Sequence, residues 1–114
     1  MGKAGQTVEE AQAVLMARNE RELQDQIMGM LNREGIVGFR ARTDKKSTIA
    51  VGHPDIWFSL GGRACAFEVK MPGKKPRPEQ ETMMAAMRKN GWRVVVVTSY
   101  VEARQALDNF AGIL

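Results

Sequence analysis

The sequence predicts an α/β fold, a mixed sheet flanked by helices, with elements in the order α, β, β, β, α, β, α. Three observations predict it. Leu23, Ile27, Met30 and Leu31 recur at helical spacing and form one apolar stripe that ends at Gly35. Gly61-Gly62 separates two strand-like runs, residues 55–60 and 63–69, and is the composition of a two-residue hairpin turn because glycine tolerates positive φ. A β-branched run over residues 94–98 lies between two helical patterns, as a strand buried on both faces would.

Taken in order, residues 1–6 read as a mobile tail and residues 7–114 as a single domain, since 114 residues suffice for one core and not for two. Thr7-Val8-Glu9-Glu10 reads as a capping box, and Asn19-Glu20-Arg21-Glu22 repeats the signal at the start of the apolar stripe. Residues 36–43 alternate as a strand does, and residues 44–48 form a polar loop. After the hairpin, the stretch from Met71-Pro72-Gly73 to Pro78 cannot lie inside a sheet. Pro78 suits the first turn of a helix that runs to Asn90-Gly91, and residues 101–110 form a last amphipathic helix.

Composition excludes several classes. No apolar run approaches the roughly 18 residues needed to span a bilayer, and Met1-Gly2-Lys3-Ala4-Gly5-Gln6 lacks a signal peptide's apolar core. The expected location is the cytoplasm, with no membrane partner. The single cysteine, Cys65, cannot form an internal disulfide and reads as a small hydrophobe. The net charge is only +4, but residues 40–93 hold 12 basic against 5 acidic side chains, a surplus of seven. Such a block attracts polyanions, although many soluble domains carry an equally lopsided segment.

A hairpin closed by Gly61-Gly62 pairs Leu60 with Arg63 and, stepping outward, Asp55 with Glu68. Directly opposed side chains have Cβ atoms about 4.5–5.5 Å apart on one side of the sheet. Two carboxylates there repel unless one is protonated or a cation lies between them, and oxygen ligands favour Mg²⁺ or Mn²⁺. Alternation puts Lys70 on the same face as Glu68 and turns Val69 inward. Periodicity alone favours the plainer reading, in which Asp55 begins a strand after Pro54 and Glu68 with Lys70 is a solvated ion pair. Gln80 shares a helix face with Met84 and Met87, so it needs a polar partner such as Lys70 or a phosphate unless the first turn is exposed. His53, the lone histidine, reads as solvated.

Gly52-His53-Pro54-Asp55, then Glu68-Val69-Lys70, then Gln80 resembles the PD-(D/E)xK nuclease superfamily, and within it the virus-type replication-repair nuclease (VRR-NUC) branch. The similarity runs from Glu20-Arg21-Glu22-Leu23-Gln24 to Ser99-Tyr100-Val101-Glu102-Ala103. It implies a restriction-endonuclease-like αβββαβ core and a magnesium-dependent endonuclease acting on DNA. It further implies that Asp55, Glu68 and the Val69 carbonyl bind Mg²⁺ or Mn²⁺, that Lys70 assists the attacking water, and that Gln80 orients the site. Glu20 matches the first-helix acidic residue, with Glu22 the alternative.

Stand-alone members, often encoded by phages and viruses, resemble dimeric enzymes that cut four-way (Holliday) junctions, which implies a homodimer and, for a phage protein, a bacterial host's cytoplasm. A lesser similarity of residues 39–47 to archaeal-type junction resolvases implies that Arg40, Arg42, Lys45, Lys46, Lys74, Lys75 and Arg77 approach the DNA backbone. Two rivals remain open at this point: a nuclease for flaps, nicks or linear duplex, and a basic DNA-binding module that does not cut.

Overall fold

The computed structural model describes residues 17–41 and 51–113, and the expected tail, the Thr7 capping box and the 44–48 loop lie outside them. The elements are α1 (Glu20–Arg33), β1 (Gly38–Arg40), β2 (Ile56–Leu60), β3 (Arg63–Val69), α2 (Pro78–Lys89), β4 (Arg93–Val97) and α3 (Tyr100–Ile113). They build one mixed sheet in the order β1-β2-β3-β4, antiparallel except for the β3–β4 pair, which α2 connects.

Local chemistry sets most boundaries. Asn19 caps α1 by accepting the Glu22 N–H, and Gly35 takes φ 73° just beyond the last turn. Gly61 and Gly62 sit at φ 57° and 79°, the two positive values of a tight hairpin turn, and the observed pairs run from Leu60↔Arg63 to Ile56↔Phe67 in the expected register. Asp55, expected inside β2, lies one step before it. Its carbonyl accepts from the Ala41 N–H on the β1 side, while its side chain rather than its backbone meets β3.

Of the expected residues 36–43, β1 holds Gly38 to Arg40, paired against Phe58 to Ile56, and residues 42 and 43 lie outside the described residues. β4 starts and ends one residue earlier than expected. Arg93 joins it, buried, by donating to the Phe110 carbonyl at 2.6 Å, and Thr98 leaves it because the Glu102 carboxylate takes its N–H. The strand is also less enclosed than expected, with Val95 and Val96 half-buried.

The two faces of the sheet are covered differently. α1 and α3 bury Leu23, Ile27, Met30, Leu31 and Phe110 against Ile56, Phe58, Phe67 and Val69. Each large apolar side chain so enclosed contributes about 1.5–3 kcal/mol. Cys65 lies in this cluster, and burial pushes its thiol up, as expected of an inert small hydrophobe. On the opposite face α2 packs Met84 and Met87 against Ala66 and Val94. Trp57 also belongs to that second face.

Candidate active site

The α2 face of the sheet carries the candidate site, at the end where β2 begins and β3 ends. Glu68 follows Ala66 by two residues on β3 and shares its face. Asp55 precedes Trp57 by two and joins them from just before β2. The Asp55 carboxylate accepts the Val69 N–H at 2.8 Å, which pins it to the strand that carries Glu68.

Glu68 is 1% exposed, so it is not half of a solvated pair. One of its oxygens accepts from Gln80 Nε2 at 3.1 Å and lies 3.3 Å from Lys70 Nζ. The other, Oε1, is buried and has no hydrogen-bond partner. Lys70 is itself largely buried, its side chain 12% exposed. Gln80 thus meets its need for a partner through Glu68 rather than through the expected Lys70 or phosphate, and its Oε1 accepts the Arg77 N–H at 2.8 Å to close the first turn of α2.

Electrostatics make this a strained pair. Burial, then the nearby Asp55 charge, raises Glu68 to about 7, against the opposing pull of Lys70. Asp55 is raised too, first by burial, with Glu20 adding to it, while the Val69 hydrogen bond and Lys70 pull the other way. A buried carboxylate oxygen with no donor, beside a second, half-buried carboxylate, is what a cation would satisfy. Among the described residues no group of three or more His, Cys, Asp or Glu side chains is placed to hold a metal. Two carboxylates suit a magnesium-like ion, which keeps several of its waters.

Of the first-helix acids, Glu20 is half-buried and its charge reaches both Asp55 and Glu68. Glu22 faces elsewhere, 3.1 Å from Arg18. His53 is half-buried rather than solvated. Its Nδ1 is 3.1 Å from the Pro54 carbonyl, and its ring meets Trp57 edge-on at 5.9 Å.

The expected backbone contacts are dispersed. Lys74, Lys75 and Arg77 are exposed on the segment between β3 and α2. Arg40 turns to the α1 face and pairs with Asp25 at 2.5–2.6 Å, away from the carboxylates. Arg42, Lys45 and Lys46 lie outside the described residues.

The motif itself hid one residue that positions it. Gly52 has φ 88°, and a Cβ there would lie 2.3 Å from the Glu79 carbonyl oxygen and 2.7 Å from its carbon. The chain entering Pro54-Asp55 therefore packs directly on the first turn of α2, next to Gln80, which only glycine allows. A glycine before His-Pro reads as a loop in sequence, and the surface it touches is 27 residues away in the chain.

No family model matches the chain, and no curated protein does. A solved structure described as a VRR_NUC domain is similar to it, with a TM-score of 0.67 and 25% identity, over 82% of this chain and 99% of that one. In its sheet order and flanking helices the chain matches the restriction-endonuclease-like fold of a VRR-NUC domain, and that likeness implies a nuclease domain.

Proposed function

We propose that the protein is a metal-dependent, structure-specific DNA endonuclease that resolves four-way junctions as a homodimer. The observation that carries the catalytic part is the buried, donorless Oε1 of Glu68 beside Asp55 and Lys70. Asp55, Glu68 and the Val69 carbonyl would hold Mg²⁺ or Mn²⁺. A divalent ion bound there polarises phosphoryl oxygens and lowers the pKa of water.

The protein's own groups do the rest. Lys70 places an ammonium beside the scissile phosphate, where it orients the attacking water and offsets developing negative charge. Gln80 fixes the rotamer of Glu68 through its 3.1 Å hydrogen bond, and Glu20 adds negative charge that favours a cation over an empty pair. The basic surplus of residues 40–93 supports a polyanionic substrate. The branched substrate and the dimer follow from resemblance: two copies related by a two-fold axis match the symmetry of a junction.

The test is cleavage of a synthetic four-way junction in Mg²⁺, with flap, nicked and linear duplexes alongside. Lys70→Ala and Asp55→Ala are expected to slow cutting by about 10²-fold or more, and sedimentation is expected to show a dimer. Equal activity in wild type and both variants would refute the catalytic reading. Salt-sensitive binding without cutting, indifferent to chelation, would make the protein a DNA-binding module instead.

A further inference from the structure

We propose that Phe39 and Trp57 form a platform on which one unstacked nucleobase rests beside the Asp55–Glu68 pair; this rests on the nuclease reading above. Phe39 is the direct cross-strand partner of Trp57. Trp57 in turn faces Ala66, on the α2 side of the sheet where Glu68 and Asp55 also emerge. The two aromatics and the two carboxylates therefore share one face.

α2 covers only part of that face. Its methionines pack over Ala66 and Val94, on β3 and β4, and among the described residues none of α2 covers the β1 end, where Phe39 is 63% exposed. Trp57 donates its indole N–H to the Pro54 carbonyl at 3.0 Å, so its polar handle is engaged within the Asp55 loop; its half-buried ring packs against the Ala66, Met84 and Val94 cluster and forms the inner part of the platform. His53 braces that ring from its edge, at an interplanar angle of 86°. Among the described residues Phe39 makes no ring contact with another aromatic side chain.

Spacing favours a nucleotide as the occupant. Trp57 stands two residues from Asp55 along extended chain, about 7 Å, roughly twice the 3.4 Å rise of stacked bases. A base drawn out of its stack next to the cut phosphate spans that gap. Exposed Lys74, Lys75 and Arg77 lie on the segment that leaves β3 just past Glu68, and their charge complements a phosphate chain. A second copy seated on Phe39 would instead cover the face on which the carboxylates open. Stacking on an aromatic does not depend on base identity, which suits a nuclease that recognises structure rather than sequence.

The experiment measures binding in EDTA of a fluorescent oligothymidylate and of an abasic oligonucleotide of equal length, for wild type, Phe39→Ala and Phe39→Trp. Wild type is expected to prefer the oligothymidylate by about 10-fold, Phe39→Ala to lose that preference, and Phe39→Trp to keep it. The salt dependence of binding is expected to stay the same in all three, because the phosphate contacts are untouched. An unchanged preference in Phe39→Ala overturns the inference alone, and so does a Phe39→Ala chain that sediments as a monomer while wild type is a dimer. If wild type binds neither oligonucleotide nor a four-way junction, the inference falls together with the nuclease reading.

Discussion

Glu68→Gln is expected to abolish cleavage while making the metal-free protein more stable at pH 8. Glu68 is raised in the folded state to about 7 from an ordinary 4.5, by burial first and then by Asp55. Between those values the folded chain holds a proton that the unfolded chain has released. Stability is therefore fullest below about pH 4.5 and falls as pH rises through about 7. The ionised pair then costs on the order of 3 kcal/mol. An amide oxygen at position 68 keeps the bonds from Gln80 and Lys70 without the charge. Urea unfolding at pH 5 and pH 8 checks this: the variant's advantage should be present at pH 8 and mostly lost at pH 5. A variant less stable than wild type at pH 8 would mean that Lys70 and Gln80 already satisfy the carboxylate.

The second large effect is expected at Gly52. Gly73 and Gly91 have φ 86° and 93° with nothing within 4 Å of a built Cβ, so alanine at either meets only the backbone penalty, about 1–2 kcal/mol. Gly52→Ala meets the same penalty and a 2.3 Å collision with the Glu79 carbonyl. Relieving it costs about 1–3 kcal/mol more and pushes the Asp55 loop away from α2. A displacement of about 1 Å at a reacting group lowers turnover by about 10²-fold. Denaturant melts and single-turnover cleavage of the three alanine variants separate the two contributions. If Gly52→Ala loses no more activity than Gly91→Ala, the contact with α2 does not position the site.

Much of this architecture is legible in the chain because its determinants are local. Gly61-Gly62 fixes the hairpin register by itself, but the ladder ends at Ile56 and Phe67, one step short of the expected Asp55–Glu68 pair, and Asp55 reaches β3 through its side chain at the Val69 N–H. Asn19, Gly35 and Pro78 mark helix ends through short-range bonds. What the sequence hides depends on distant partners. Burial of Glu68 and Lys70 comes from α2 closing over the end of β3, and no alternation pattern records it. The bond from Gln80 to Glu68, the pairing of Arg40 with Asp25 and the capture of the Phe110 carbonyl by Arg93 each join residues more than ten apart. Asp55 left its expected strand for the same reason, since its side chain rather than its backbone meets β3.

In the proposed reading, buried Glu68 and half-buried Asp55 would together hold a divalent cation, and a calorimetric titration of Mn²⁺ into the metal-free protein at pH 8 tests this most directly. Wild type is expected to bind one ion per chain, Glu68→Gln none, and Asp55→Asn at least about 10-fold more weakly. Equal binding by all three proteins, or cleavage that persists in excess chelator, would contradict it.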